Sequence, residues 1–230
     1  MKLRAEDISI SFTRSGKTNR SFTALERTSI NIERGRLVVI SGRSGSGKTT
    51  LINILSGLLR PTVGKVFYGS EDIYTLGDDG LSEFRNRHIG YIPQGQSALS
   101  NLTVLENLLL PSSLAGGGDK TEYALQLLGK VGMVSLADAY PDELSGGELR
   151  RLAATRALVN SPEVIFADEP TNDLDDENSA LVLGLLKNAA KNGTAVILVT
   201  HETLAENYAD EVYHLDGGKI TEKRNEYVHT

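Results

Sequence analysis

The sequence predicts an α/β fold built on a mostly parallel β-sheet. In the second half of the chain, helical patterns at residues 147–159 and 178–191 alternate with uniformly apolar strands at 164–167 and 195–200. In the first half, a glycine-rich loop lies between a buried strand and a helix. Strands that are apolar on both faces are typical of a parallel sheet that helices cover on both sides.

The first third of the chain predicts strands that lead into the glycine-rich loop. Apolar and polar residues alternate at 8–12 and again at 28–33, with a polar, turn-rich loop at 13–20 between them. A short apolar run at 37–40 follows, which indicates a buried strand. After the loop, residues 48–58 carry apolar side chains at helical spacing, and a proline soon afterwards marks the end of this helix.

The middle of the chain, residues 97–144, predicts a small helical lobe. Helical patterns occur at 104–110 and at 122–131. Pro111 and a run of three glycines at 116–118 lie between them, and both features interrupt helices. We therefore expect the first of these helices to be broken at Pro111.

Composition and charge limit the classes of protein to which the chain can belong. Its 230 residues suffice for one functional unit with a sizeable core. Lys and Arg number 24 against 30 Asp and Glu, and this net charge of −6 disfavours a nucleic-acid-binding surface. Without Cys there are no disulfide bonds or thiolate sites. No apolar stretch approaches the roughly 20 residues that span a bilayer, and the first residues do not resemble a signal peptide.

Residues 42–49 match the pattern G-x-x-x-x-G-K-[ST] of a phosphate-binding loop, and the flanking strand and helix are the context that the pattern requires. In such a loop, backbone N–H groups and the positive end of the helix dipole bind phosphate oxygens. Lys48 would reach the outer phosphates, and Thr49 would ligate Mg²⁺. A flexible glycine turn is the alternative, which the flanking elements disfavour. The residues predicted to contact the nucleotide are Gly42, Arg43, Ser44, Gly45, Ser46, Gly47, Lys48, Thr49 and Thr50.

Two carboxylates, Asp168 and Glu169, follow the apolar strand at 164–167. Functional groups in sheets of this kind lie at the carboxyl ends of the strands. Phosphoryl transfer depends on charge stabilisation and a positioned water. We therefore expect Asp168 to hold Mg²⁺ through its water shell and Glu169 to polarise the attacking water. Taken alone, the pair could equally form a charged turn after a core strand, but the phosphate loop on the same chain favours the catalytic interpretation.

A third motif, LSGGE at 144–148, places a hydroxyl and two glycines at the start of a helix, which is a second phosphate-binding geometry. An ordinary serine cap is the alternative. Together with the phosphate loop and the ADEPT segment at 167–171, this motif resembles the ordered motif set of ATP-binding cassette (ABC) ATPases, over nearly the whole chain. The resemblance implies that Ser145, Gly146, Gly147 and Glu148 also bind ATP.

The resemblance implies a fold and a division into subdomains. The expected fold is a P-loop NTPase core with an N-terminal antiparallel β subdomain and a small helical subdomain, all within a single ABC ATPase domain. The helical subdomain would comprise approximately residues 96–149, and residues 1–95 and 150–230 would form the rest.

The resemblance also assigns roles to single residues that match the family's motifs. Gln94 would contact Mg²⁺ and water, His201 the γ-phosphate, and Phe12 would stack on adenine. Lys48, Gln94, Glu169 and His201 are thus the expected catalytic residues, and ATP and Mg²⁺ the expected ligands. Simpler interpretations are a loop amide for Gln94, a helix-terminal residue for His201 and a core side chain for Phe12.

Three positions depart from the family's usual pattern. Phe12 lacks the hydroxyl of the commoner tyrosine, and Glu148 replaces a glutamine often found after the two glycines. Asp173 lies in the loop at 172–175, which crosses to a second subunit in this family, at a position often filled by a small residue. None of these departures removes a catalytic group, so the resemblance carries over the catalytic groups but not the family's nucleotide affinity or dimer tightness.

In this family the phosphate loop of one subunit and the LSGGE segment of another close on the same ATP. The resemblance therefore implies a dimer of this chain with itself or with a similar ATPase subunit. The segment that follows Gln94 resembles the bacterial subfamily of macrolide-efflux, lipoprotein-release, antimicrobial-peptide-resistance and cell-division ATPases. This implies an integral membrane permease as partner and a cytoplasmic, peripheral location at the inner face of the cell membrane.

Several functions remain open at this stage. The first is an ATPase that energises a bacterial membrane complex exporting or extracting its cargo. The second is an ATPase that drives transmembrane signalling by a membrane partner without transport. A soluble ABC ATPase acting on DNA, ribosomes or cluster assembly is disfavoured, because the chain has one cassette, no long heptad arm and no excess of basic residues. A GTPase is disfavoured because the N-K-x-D motif is missing.

Overall fold

The computed structural model describes residues 2–14 and 20–223 of the chain. Strands β1 to β10 span Leu3–Arg14, Arg20–Ile32, Leu37–Ser41, Val63–Tyr68, Glu71–Asp72, Ile89–Ile92, Val164–Asp168, Ala195–Thr200, Glu211–Asp216 and Lys219–Lys223. Helices α1 to α6 span Lys48–Leu55, Asp78–His88, Val104–Leu114, Thr121–Lys130, Gly146–Arg156 and Asp176–Lys191. The strands form two sheets. The larger sheet contains β3, which leads into the predicted phosphate-binding loop, and β7, which ends at the carboxylate Asp168.

The larger sheet has the strand order β10-β9-β3-β8-β7-β6 and is parallel except where β9 pairs with β10. Every residue of β7 and β8 is buried. Successive residues of β3 alternate between two hydrophobic cores, one shared with α3 to α6 and the other with α1 and α2. Helices therefore cover both faces, as the apolar strands predict. The predicted α/β class with a mostly parallel sheet is confirmed.

The smaller sheet has the order β2-β1-β4-β5 and is antiparallel throughout. It is the N-terminal antiparallel β-sheet that the resemblance implies. β1 and β2 are longer than their alternating patterns predict, because they extend to Arg14 and Arg20. The rest of the predicted loop, residues 15–19, lies outside the described residues.

Helix α3 continues through Pro111 to Leu114, so the expected break at Pro111 is wrong. A proline inside a helix removes one backbone hydrogen bond and usually kinks or ends it. Here only the last turn of α3 follows the proline. The carbonyl oxygen of Pro111 accepts hydrogen bonds from Ala115 N (3.1 Å) and from Asn160 Nδ2 (3.1 Å). These contacts hold the final turn, and α3 ends just before Gly116, where the backbone becomes left-handed (φ 65°).

The described helices are short. The longest of them, α6, has 16 residues. Within residues 2–14 and 20–223, no helix combines the length and the apolar character that crossing a membrane requires.

Candidate active site

A cavity of about 490 Å³ lies where β3, β7 and β8 reach their carboxyl ends. Ten of the residues that line it are predicted site residues: Phe12, Ser44, Gly45, Gly47, Lys48, Thr49, Thr50, Gln94, Glu169 and His201. The structure thus brings together segments separated by up to 189 positions in the chain, from Phe12 to His201. The remaining predicted loop residues, Gly42, Arg43 and Ser46, belong to the same loop but do not form the cavity wall.

The glycines of the phosphate-binding loop permit backbone contacts that a side chain would prevent. A Cβ atom at Gly42 would lie 2.3 Å from the carbonyl oxygen of Leu215, and one at Gly47 would lie 2.5 Å from that of Ala24. Gly47 is also left-handed, with φ 103°. The loop is therefore closed against β2 and β9 in a way that only glycine allows at these two positions.

Helix α1 begins at Lys48 and directs its N-terminus towards this loop. Among the described residues, no side chain caps this end, and the first turn contains no acidic residue. The first N–H groups of a helix have no partner within the helix and carry partial positive charge. The end of α1 is therefore suited to bind an anion such as a phosphate.

Lys48 is a buried cation at the base of the cavity, with 6% of its surface exposed. Its Nζ donates to the carbonyl oxygens of Gly42 (2.7 Å) and Arg43 (3.2 Å), and lies 3.5 Å from Oε1 of Glu169. Its charge is thus held between the loop and the carboxylate, at a place where a phosphate would add further negative charge.

Asp168 is almost fully buried beside Thr49, and it fits a role at a magnesium ion. Among the described residues its Oδ1 has no hydrogen-bond partner. Burial raises the pKa of the Asp168 carboxyl, and the charge of Glu169 adds to this, against the hydrogen bond with Thr49. A buried carboxylate oxygen without a partner is costly, and the hydroxyl, amide and carboxylate oxygens of Thr49, Gln94 and Asp168 are ligands that Mg²⁺ prefers.

Glu169 and His201 form a hydrogen-bonded pair that also lines the cavity. Nδ1 of the His201 ring lies 3.0 Å from Oε2 of Glu169. The backbone N–H of His201 donates to the same oxygen (3.3 Å). Burial alone would raise the pKa of Glu169, but hydrogen bonds from His201 and Thr200, with the charges of His201 and Lys48, lower it below its usual value. Glu169 is therefore held as a carboxylate, which is the form that polarises a water molecule.

The backbone at Glu169 is left-handed, with φ 47°, which is unusual for a residue with a long side chain. Its N–H donates to the carbonyl oxygen of Val199 (2.9 Å), so the neighbouring strand β8 holds this conformation. Such strained residues are concentrated at functional sites.

A pair of phenylalanines forms the outer wall of the cavity. Phe12 on β1 and Phe22 on β2 lie directly opposite each other, with ring centroids 5.8 Å apart and planes inclined by 34°. The two side chains remain 37% and 44% exposed. Sequence reasoning named Phe12 alone and missed Phe22, because the pairing register of β1 with β2 is needed to place the second ring. The other lining residues that it missed are Thr23, Ala24, Gly217 and Gly218.

The LSGGE segment does not line this cavity. Ser145 caps α5: its Oγ accepts from the Glu148 N–H (3.3 Å), and Oε2 of Glu148 accepts from the Ser145 N–H (2.7 Å) and hydroxyl (2.7 Å). These bonds lower the pKa of Glu148. The simpler interpretation, a serine cap, therefore describes Ser145 here. Ser145 and Gly146 are exposed at the surface, so the chain presents this helix end outward.

The model of the ABC transporter family matches residues 25–172, which is more than half of the chain. The chain belongs to the ABC transporter family. It is accordingly an ATP-hydrolysing subunit of the kind that this family contains. The matched residues include the phosphate-binding loop, the LSGGE segment and both carboxylates.

Relatives within the ABC transporter family point to the subfamily that the sequence resembles. The lipoprotein-releasing system ATP-binding protein LolD of Syntrophotalea carbinolica is 41% identical over 205 residues, covering 88% of this chain and 90% of LolD. The macrolide export ATP-binding/permease protein MacB of Vibrio parahaemolyticus is 39% identical over 220 residues, covering 95% of this chain but only 33% of MacB.

Solved structures of ABC transporter cassettes share this fold. The dimeric structure of the bacterial cassette MJ0796 superimposes with a TM-score of 0.88 at 31% identity, covering 96% of this chain and 99% of that one. Its post-hydrolysis dimer, bound to ADP and phosphate, gives a TM-score of 0.86 at 30% identity, with the same coverage.

Proposed function

We propose that this chain energises a bacterial membrane complex that exports or extracts its cargo, and that it works as a dimer with two ATP molecules at the interface. The observation that carries this proposal is that the LSGGE end of α5 is exposed and lies outside the cavity that the phosphate-binding loop lines. The N-terminus of α1 faces the cavity, whereas the N-terminus of α5 faces outward. An outward-facing end of this kind is available to a nucleotide held by another subunit.

In the proposed site, each group of the chain has a separate task in hydrolysis. The loop and the N-terminus of α1 bind the phosphates, and Lys48 compensates the charge of the outermost ones. Bound Mg²⁺, held by Thr49, Gln94 and the water shell of Asp168, would stabilise charge on the phosphate oxygens. Glu169 orients and polarises the attacking water, and His201 supports its carboxylate from the other side.

The membrane partner is proposed from the relatives. LolD is named as the ATP-binding protein of a releasing system, and MacB as an ATP-binding and permease protein. We propose that this chain likewise acts on an integral membrane permease, from a peripheral position at the cytoplasmic face of the membrane. Cargo contacts would then belong to the permease.

The dimer is tested with Glu169→Gln, which removes the charge that polarises water but keeps the contacts of the phosphate-binding loop. We expect this variant to bind ATP, to lose turnover, and to elute as a dimer in size-exclusion chromatography with ATP and Mg²⁺. The matched control is the same variant with ADP, which should elute as a monomer. Full residual hydrolysis, or an elution volume unaffected by ATP, would contradict the proposal.

A further inference from the structure

Arg150 joins helix α5 to the segment that carries Gln94. Its Nη1 donates to the carbonyl oxygens of Pro93 (3.3 Å) and Gly95 (2.9 Å), the residues on either side of Gln94. The guanidinium is half-buried, and hydrogen bonds from a charged donor are stronger than neutral ones, especially away from water. One side chain of α5 therefore holds the backbone on both sides of Gln94.

A second arginine of α5 holds the same segment further along. Nη1 of Arg156 donates to the Ser97 carbonyl oxygen (2.9 Å), and Nη2 to the Ser97 hydroxyl (2.6 Å). The backbone is left-handed at Gly95 (φ 81°), the residue that Arg150 contacts just after Gln94. The exposed side chain of Gln94 projects from this part of the segment into the nucleotide cavity. A shift of α5 would therefore be transmitted to Gln94 through Arg150.

Arg150 also lies at the junction of three segments. A small cavity of about 170 Å³ is lined by residues of the loop after β6, the N-terminal turns of α5 and the loop after β7, among them Gly95, Gly146, Arg150 and Asp173. Helix α5 thus begins at the outward-facing LSGGE segment. One turn later, through Arg150, it contacts the segment whose Gln94 lines the chain's own nucleotide cavity.

We propose that Arg150 is a positioning residue that sets Gln94 in the chain's own ATP site according to the position of α5. Because the N-terminus of α5 closes on the partner subunit's ATP in the proposed dimer, Arg150 links the two ATP sites of the complex. This inference rests on the proposed function, since it takes both helix ends to be nucleotide sites.

The first test is steady-state ATP hydrolysis by the purified chain. Arg150→Ala should lower kcat by about tenfold or more and change KM for ATP by less than about twofold, because the phosphate-binding loop is intact. Both bonds come from a single nitrogen, so a lysine ammonium can replace them, and Arg150→Lys should keep kcat within about threefold of the unmodified chain.

Arg85→Ala is the matched control for a loss of stability. Arg85 is equally half-buried, and its guanidinium donates to the Gly57 carbonyl oxygen (2.9 Å) and to the Ser82 hydroxyl (2.8 Å), away from the nucleotide cavity. Its removal should lower the melting temperature without lowering kcat. An equal loss of kcat in Arg85→Ala would show that the effect of Arg150→Ala is merely structural, and would overturn the inference.

A double-mutant cycle tests whether Arg150 acts through Gln94. In a Gln94→Ala background, Arg150→Ala should cost less than about twofold in kcat, because the group that it positions is gone. Independent, multiplying effects of the two substitutions would overturn the inference, as would an unchanged kcat in Arg150→Ala alone.

Failure of the proposed function can be told apart from failure of this inference. An unmodified chain that did not hydrolyse ATP would contradict the proposed function. Calorimetry of ADP binding with and without Mg²⁺ then tests Arg150 without turnover. Arg150→Ala should weaken binding with Mg²⁺ by at least about fivefold and leave metal-free ADP binding unchanged. Equal effects under both conditions would count against Arg150 as the residue that positions Gln94.

Discussion

We expect phosphate binding to depend more directly on Lys48 than on any other single residue. Lys48 is buried, and its ammonium is held by the carbonyl oxygens of Gly42 and Arg43 and by the carboxylate of Glu169. We expect Lys48→Ala to weaken ATP binding by about a hundredfold or more, because no other buried cation lines the described part of the cavity. Isothermal titration calorimetry with ATP measures this. An unaltered dissociation constant for ATP in Lys48→Ala would contradict the assignment of the loop. The control variant Lys65→Ala, at an exposed site on β4, should bind ATP like the unmodified chain.

At this scale the sequence predicted the residues that lie in short local motifs. The phosphate-binding loop and the pair Asp168 and Glu169 could be recognised because their chemistry depends on neighbours in the chain. Phe22 and Arg150 could not, because their roles depend on a strand register and on a contact 57 positions away in the chain. The roles of Gln94, His201 and the LSGGE residues came from the family resemblance, and they stay predictions.

Among the secondary-structure elements, the β1–β2 pair supplies the wall of the cavity against which a base would stack. Its two rings, Phe12 and Phe22, are both exposed towards the cavity. Stacking of a base on an aromatic side chain contributes about 1–3 kcal/mol. We therefore expect Phe22→Ala to weaken ADP binding about five- to 150-fold, as measured by isothermal titration calorimetry.

Inorganic tripolyphosphate is the control ligand for Phe22→Ala, because it has no base. Its affinity, measured by the same calorimetric titration, should be unchanged in the variant. Phe22→Tyr should retain ADP binding, since it keeps the ring. A loss of tripolyphosphate binding would show that the substitution disturbs the loop rather than the base.

Asp210 connects three elements at the opposite end of the larger sheet. Its Oδ2 accepts from the Leu37 N–H at the start of β3 (2.8 Å), and its Oδ1 from Nζ of Lys187 on α6 (2.7 Å). Burial would raise its pKa, but these bonds and the charges of Lys187 and Arg36 lower it. A lowered pKa in the folded state stabilises the fold above the unfolded pKa of about 4, and this stabilisation is lost as the pH falls through the folded pKa.

We expect Asp210→Ala to lower the free energy of unfolding by about 1–3 kcal/mol at pH 7, because it leaves a buried N–H and an ammonium without their partner. The difference from the unmodified chain should shrink below about pH 4. Urea denaturation at both pH values measures it. As a control, Asp138→Ala, at an exposed carboxylate, should change the free energy of unfolding little at either pH. If Asp210→Ala lowered the free energy of unfolding equally at both pH values, the role of the Asp210 charge would be contradicted.

The elements that the sequence did not predict are those with weak local patterns. Helix α2 buries only Leu81 and Phe84 among its 11 residues, which is too few to make a clear apolar face. β9 pairs with β10 in an antiparallel ladder and with β3 in a parallel one. The position of both strands therefore depends on pairing with β3, which lies far away in the sequence. β7 and β8, buried on both faces, were predicted with bounds within one residue.

For the molecule as a whole, the antiparallel sheet and the mostly parallel sheet follow the fold that the family resemblance implies. The two cores, one on each face of the larger sheet, place α3 to α6 on one side and α1 and α2 on the other. α1, which follows the phosphate-binding loop, and α5, which begins with the LSGGE segment, therefore pack into different cores. The division of the chain at residues 96 and 149 stays a prediction.

Because no described side chain caps the N-terminus of α1, we expect a bound nucleotide to stabilise the folded chain. A helix end without a capping side chain is completed by whatever acceptor it binds, and here a phosphate group would take that place. Binding to the folded chain alone adds to its stability by an amount that grows with ligand concentration, about 2.7 kcal/mol at a hundred times the dissociation constant. The melting temperature of this chain should therefore rise with the nucleotide concentration in solution.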